Sequence, residues 1–138
     1  MRGIIWLVVV MFFTPVFAYV PVEINGDASD VVGSKILYNV REDIRKSTYM
    51  GLFFKPDQPR IQIHFLTIDP NENKQNAGIS TVYSCVITWA KKDREYPLYV
   101  TSFVGICGES RMEGCAEDIV SRISREADNM HVLGMDRK

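Results

Sequence analysis

Apolar and polar residues alternate most clearly in the second half of the chain, in two segments separated by a short charged run. The alternating segments are Ile79–Ala90 and Tyr96–Ile106, and period two over such lengths is typical of half-buried strands. The run between them, Lys91–Glu95, has a length that hairpin loops use. The pattern therefore predicts an antiparallel hairpin whose two strands each have one apolar face.

Two further strands are predicted before this hairpin. Residues Ile61–Ile68 alternate at first, but Leu66 and Ile68 break the alternation, which indicates a strand partly buried on both faces. Residues Thr48–Phe54 are aromatic and apolar and stop at a turn with two prolines, which indicates a short strand. The polar segment Asp69–Gly78 has no periodicity and predicts an exposed loop.

Helical periodicity occurs on both sides of the predicted strands. Apolar residues recur every fourth position in the first helix, predicted over Asp30–Lys46 with Ser29 as its N-cap. The second helix is predicted to begin at a capping box, in which Ser110 and Glu113 each satisfy a free backbone donor. Its apolar face contains Ala116, Ile119, Val120, Ile123, Ala127 and Met130.

The order of elements is therefore α-β-β-β-β-α, which predicts an α+β fold. We expect a two-layer sandwich, with a four-stranded, mainly antiparallel sheet and two helices on one face. Residues 30–130 would form this single domain. Pro21 and the turn pair Asn25-Gly26 predict an irregular lead-in over 19–29, and residues 131–138 would form a polar tail.

The N-terminus has the three parts of a secretory signal peptide. Arg2 provides the charge, Ile4–Phe13 the apolar region and Val16–Ala18 the small-residue cleavage site. The apolar run is interrupted at Thr14-Pro15 and is shorter than the roughly 20 residues that a spanning helix needs. We expect cleavage after residue 18, no membrane span after cleavage, and a periplasmic location.

Charge gives no indication of a nucleic-acid partner. The chain has 16 basic and 17 acidic residues and a net charge of −1. A near-neutral mixture provides no electrostatic case for binding nucleic acid or an anionic membrane surface.

The three cysteines, Cys85, Cys107 and Cys115, would be in an oxidising compartment after export. Cys107 ends a predicted strand and Cys115 opens a predicted helix, so a disulfide between them would fix the turn. The alternative for this pair is redox chemistry or half of a metal site, although its spacing is not Cys-x-x-Cys. Cys85 is either a buried free thiol or a cysteine that pairs between chains.

The sequence contains no set of residues with the spacing of a recognisable catalytic or metal site. His64 and His131 are distant in sequence and lack further ligands at metal-binding spacing, and neither a Gly-x-Ser-x-Gly elbow nor a Gly-rich phosphate loop occurs. We therefore predict a protein that is not an enzyme and that uses no cofactor or metal.

The hairpin strands contain many aromatic residues. Alternation cannot direct all of them to the face that the helices cover, so some should be exposed. An exposed aromatic face is a plausible binding surface, although scattered apolar side chains are also normal on protein surfaces. The predicted interaction residues are Tyr83, Trp89, Tyr99, Thr101 and Phe103.

Four segments resemble a family of small exported proteobacterial proteins of uncharacterised function. They are Thr67–Pro70, Thr81–Ser84, Tyr99–Gly108 and Cys115–Val120, and the resemblance extends over about residues 30–128. It implies export and the limits of the domain, but no activity. The order of elements is also similar to that of small α+β domains of envelope proteins, such as the N-terminal domain of TolB.

Together these features predict a non-enzymatic periplasmic domain that acts through protein contact. The partner would be an envelope protein or a second copy of the chain. The alternative is a small-ligand binding module in which the loop Asp69–Gly78 acts as a lid.

Overall fold

The computed structural model describes residues 19–52 and 55–132. The predicted signal peptide lies outside the described residues, as does the end of the predicted tail. The elements in chain order are β1 Val20–Ala28, α1 Val31–Lys46, β2 Met50–Gly51, β3 Arg60–Ile68, β4 Ser80–Ala90, β5 Leu98–Gly108, a 3-10 turn Glu109–Arg111, and α2 Met112–Val132.

The strands form one mixed sheet in the order β2-β1-β3-β4-β5. β1 is parallel to β2 and to β3, whereas β3, β4 and β5 are antiparallel in succession. The predicted α+β class is confirmed. The predicted four-stranded, mainly antiparallel sheet is wrong in its details, because the described sheet has five strands and its β1 pairs are parallel.

The difference arises from β1, which occupies residues predicted to be irregular. Its residues from Val22 to Ala28 pair in parallel with residues 61–67, so sheet pairing overrides the local turn preference of Asn25-Gly26. Parallel neighbours require a crossover, which α1 provides. Gly26 lies under this helix, since an added Cβ atom would come within 2.9 Å of the Leu37 side chain.

The predicted strand Thr48–Phe54 is reduced to the two residues of β2. The hydroxyl of Ser47 accepts hydrogen bonds from the backbone N–H groups of Tyr49 and Met50, at 3.1 and 3.0 Å. These bonds form a turn immediately after α1, so pairing with β1 begins only at Met50. Phe53 and Phe54 lie outside the described residues.

The first helix has the predicted apolar stripe but a different cap. Asp30, rather than Ser29, is the N-cap, and its carboxylate accepts a hydrogen bond of 2.7 Å from the Gly33 N–H. The Ser29 hydroxyl instead donates to the Thr67 carbonyl at 2.8 Å. The cap lies one residue later because Ser29 bonds to the sheet.

The second helix begins later and ends later than predicted. Ser110 lies in the 3-10 turn, and α2 begins at Met112. The helix continues to Val132, so it includes His131, which the sequence predicts to lie in the tail. Its buried residues are Cys115, Ala116, Ile119, Ile123, Ala127 and Met130, which follow the predicted face except that Val120 is only half-buried.

Both helices pack on the same face of the sheet, which we call the covered face. Alternate residues of the central strands are buried there, including Ile63 and Phe65 in β3 and Cys85 and Ile87 in β4. The opposite face, which we call the open face, is not covered by any helix of the described chain. The two faces of one sheet therefore have different surroundings.

Candidate interaction surface

The disulfide joins the last part of β5 to the first turn of α2. The sulfur atoms of Cys107 and Cys115 are 2.16 Å apart. Both side chains are at least nine-tenths buried and belong to the hydrophobic core. The predicted pairing is confirmed, and its place in the core supports a structural role for these two cysteines.

Cys85 is a free and fully buried cysteine in the middle of β4. Burial raises the pKa of its thiol to about 12, so the thiol is protonated at neutral pH. A thiol in this position cannot reach another chain unless the sheet opens. This arrangement agrees with the buried-thiol alternative rather than with pairing between chains.

Four of the five predicted interaction residues lie on the covered face. Trp89 is buried, and Tyr83 and Phe103 pack against the core. Thr101 is opposite the buried Ile87, so it belongs to the same face. Only Tyr99, which is 66% exposed, lies on the open face. The predicted set therefore does not form one exposed surface.

The aromatic residues of the covered face are held by specific contacts. The rings of Tyr83 and Phe65 are stacked with their centroids 5.9 Å apart. A Cβ atom at Gly105 would come within 2.4 Å of the Tyr83 ring, so a larger residue at this position would displace the ring. The guanidinium of Arg122 lies 4.9 Å from the centre of the Phe103 ring, which joins α2 to β5.

The open face instead carries aliphatic residues that sequence reasoning missed. They form two rows across three strands, because Ile68 pairs with Val82 and Val82 with Ile106, while Leu66 and Val104 flank Ser84. We call these five residues, Leu66, Ile68, Val82, Val104 and Ile106, the apolar patch. Except for the half-buried Val82, their exposed fractions range from 58% at Ile68 to 75% at Val104.

The sequence contained a partial signal for this patch. Leu66 and Ile68 were the residues that broke the alternation of β3, and they are the ones that face solvent. In β5, by contrast, both alternating sets are largely apolar, so the pattern does not show which set faces the helices. Of the four predicted aromatic residues, Tyr83, Trp89 and Phe103 lie on the face that the helices cover, and Tyr99 does not.

The other end of the open face is polar. The Glu23 carboxylate accepts hydrogen bonds from Arg60, at 2.5 Å, and from Gln62, at 2.7 Å. Burial raises the pKa of this carboxyl, but the bonds from Arg60 and Gln62 outweigh it and hold the pKa below its ordinary value. Glu23 is therefore ionised at neutral pH, and the open face is divided into an ionic end and an apolar end.

The apolar end reaches a free edge of the sheet. β5 is the last strand, and no other strand of the described chain pairs with its outer side. None of its residues from Leu98 to Gly108 is charged. Natural edge strands are commonly protected by charged residues or proline, and β5 contains neither.

The loop predicted as a lid is tied at its two ends. The Asp69 carboxylate accepts hydrogen bonds from the N–H groups of Asn71, at 2.7 Å, and Gly78, at 2.6 Å. Three clefts in the described part of the chain have volumes of about 280 to 450 Å³, and residues 69–78 line none of them.

Among the side chains that the structure describes, those of residues 19–52 and 55–130, no group of three metal-ligating residues is close enough to hold a metal ion. His64 is exposed on the open face. No helix in the same part of the chain is long and apolar enough to cross a membrane.

Comparison with known proteins finds no matching family model, no similar curated protein and no similar solved structure. The resemblance to exported proteobacterial proteins therefore stays a prediction from the sequence.

Proposed function

We propose that this protein is an exported, non-enzymatic domain that acts through protein contact, and that the apolar patch is its contact surface. The observation that carries the proposal is the exposure of large aliphatic side chains in two adjoining rows on an uncovered sheet face. Contiguous exposed apolar surface is unfavourable in water and commonly marks an interaction site.

Two features support the proposal that the protein functions in an oxidising compartment such as the periplasm. Residues 1–18 have the pattern of a signal peptide, and Cys107 and Cys115 form a disulfide within the core. The partner would be an envelope protein or a second copy of the chain. The small-ligand alternative has no comparable supporting observation, since the loop 69–78 lines none of the described clefts.

The proposal can be tested by affinity capture from cells with two matched variants. Leu66→Asp places a charge in the apolar patch, whereas Tyr38→Asp places the same charge on α1, at a residue of similar exposure. Leu66 is 60% exposed and Tyr38 61%, so neither change should unfold the protein. We expect Leu66→Asp to lose a partner protein that Tyr38→Asp and the unmodified protein retain.

Equal recovery with both variants would contradict the proposal, because the contact would then not depend on the patch. Circular dichroism and thermal unfolding of the purified variants serve as the control for folding. A specific loss that is confined to Leu66→Asp would support contact through the open face.

A further inference from the structure

We propose that a second copy of the chain pairs antiparallel with this one along the free edge of β5, next to the apolar patch. The inference rests on the proposed function and adds the partner and the geometry. Such pairing about a two-fold axis perpendicular to the sheet would join two five-stranded sheets into one. Both helix layers would then lie on one side and both open faces on the other.

The backbone of β5 has hydrogen-bonding groups directed at this edge. The Glu109 N–H donates to the Ile79 carbonyl at 2.8 Å, and the register pairs residue 107 with 81 and residue 105 with 83. Bonded and non-bonded pairs alternate in an antiparallel ladder. The backbone groups of Ser102, Val104 and Ile106 therefore point away from β4, towards the free edge.

The edge lacks the features that normally prevent such pairing. Its only irregularity is a register shift near Ile87 and Thr88, so residues 101–108 pair regularly with β4. This regular part contains neither charge nor proline. A second copy of the same neutral strand brings no repulsive charge to the contact, and the net charge of the whole chain is only −1.

The side chains of β5 are compatible with self-pairing. Phe103 is the midpoint of the strand Leu98–Gly108, so full overlap of two antiparallel copies places the two Phe103 side chains opposite each other. Ser102 of each copy then lies opposite Val104 of the other, and both are residues whose backbone groups face the edge. Cross-strand aromatic pairs stabilise antiparallel sheets.

The distribution of exposed apolar residues also favours this edge. Val104 and Ile106, at 75% and 74%, have the highest exposed fractions among the large apolar residues of the described chain. Both lie on β5, next to the proposed two-fold axis. Pairing would bring the apolar patches of the two copies diagonally next to each other, with Val104 of each copy opposite Ser102 of the other.

The test is sedimentation velocity of the purified protein at concentrations up to about 100 µM, with variants that change the edge or the face. Val104→Lys places like charges close together across the two-fold axis. Ser102→Pro removes a backbone donor from the free edge, where proline is tolerated because the β4 ladder does not use that N–H. We expect the unmodified protein to dimerise and each edge variant to weaken the dimer at least tenfold.

Leu66→Lys and Tyr38→Lys are the matched controls, because they add the same charge away from the edge. We expect both to retain most of the dimer. Circular dichroism identifies any variant that does not fold. If Val104→Lys does not fold, Ser102→Pro alone decides, since it introduces no charge.

Two results would overturn the proposal. A protein that is monomeric at every concentration would exclude pairing with a second copy, while capture with Leu66→Asp would still test contact with another protein. A dimer that is lost in Leu66→Lys but retained in Ser102→Pro would show stacking of two open faces instead of pairing along β5. In that case the proposed function would stand and the geometry would be wrong.

Discussion

The two faces of the sheet differ although they are formed by the same strands. In β3, Phe65 is 1% exposed under the helices, while the next residue, Leu66, is 60% exposed on the open face. Both side chains are large and apolar. Folding removes the Phe65 side chain from water, and the hydrophobic effect makes this burial favourable. The Leu66 side chain stays in water within the described chain, so it gains little from the same effect.

This difference separates residues that stabilise the fold from residues that are available for contact. Side chains of the covered face from β3, β4 and both helices form one core. The apolar patch is outside that core and contributes little to it. Substitutions on the two faces should therefore have different consequences, and the following experiments test that expectation from the largest effect to the smallest.

The largest contrast is expected between Phe65→Ala and Leu66→Ala. The first should lower the free energy of unfolding by about 3 to 5 kcal/mol, because it leaves a cavity beside Tyr83 in a packed core. The second should change it by no more than about 0.5 kcal/mol, as is usual for surface positions. Denaturant unfolding of both variants measures the contrast, and equal losses would mean that the open face is also packed.

The disulfide should have the next largest effect on the covered face. Cys107 and Cys115 are separated by 8 residues, and the chain-entropy model gives about 2 to 3 kcal/mol for so short a loop. Replacing both by alanine should lower the free energy of unfolding by at least this amount, since both side chains are also buried. Unchanged stability after reduction would contradict the structural role of the disulfide. The matched control is reduction of a Cys85→Ala variant, in which the free thiol of Cys85 cannot contribute to the result.

Asp30 connects the covered face to the start of α1. One carboxylate oxygen caps Gly33, and the other accepts a hydrogen bond of 2.8 Å from the buried Thr81 hydroxyl. Asp30→Ala should therefore cost about 1 to 3 kcal/mol, from the lost cap and the weakened bonding of a buried hydroxyl. Asp30→Asn, which keeps a capping oxygen, should cost less, and equal costs for the two variants would contradict this role.

At the ionic end of the open face, a pH dependence is expected. The pKa of Glu23 lies below its ordinary value of 4.5, so its ionised form stabilises the folded state above that pH. This stabilisation should disappear as the pH falls through the folded-state pKa. The stability difference between the unmodified protein and Glu23→Gln should therefore shrink on acidification below about pH 4.5, and a difference independent of pH would contradict the assignment.

The smallest effect is expected for the thiol of Cys85. Because burial raises its pKa to about 12, the folded protein should not react with thiol reagents at neutral pH. The thiol should become reactive when denaturant unfolds the chain. Rapid labelling without denaturant, or a dimer that disappears on reduction, would show that the sheet opens around β4.

Much of the fold could be predicted because periodicity reports burial directly. The stripe of α1, the alternation of β4 and the cysteine pair each gave an element or contact that the structure contains. β1 could not be predicted in this way, because Pro21 and Asn25-Gly26 have turn preferences that only the pairing with β3 overrides.

The contact surface was harder to predict than the fold. In β5 the residues on both faces are largely apolar, so periodicity alone does not tell which side the helices cover. Tyr83 lies against Gly105, and Phe103 lies under Arg122, and both are contacts between residues distant in sequence. The exposed residues could be identified only once α1 and α2 were placed.

The central claim is that the open face contacts another protein chain whereas the exposed helix surface does not. Photo-crosslinking in living cells tests it most directly, with a photoreactive amino acid at Leu66 in one variant and at Tyr38 in the other, because the two sites are similarly exposed. We predict a strong crosslinked product from position 66 to a partner protein, and little from position 38. Equal products from the two positions, or none from position 66, would contradict the claim.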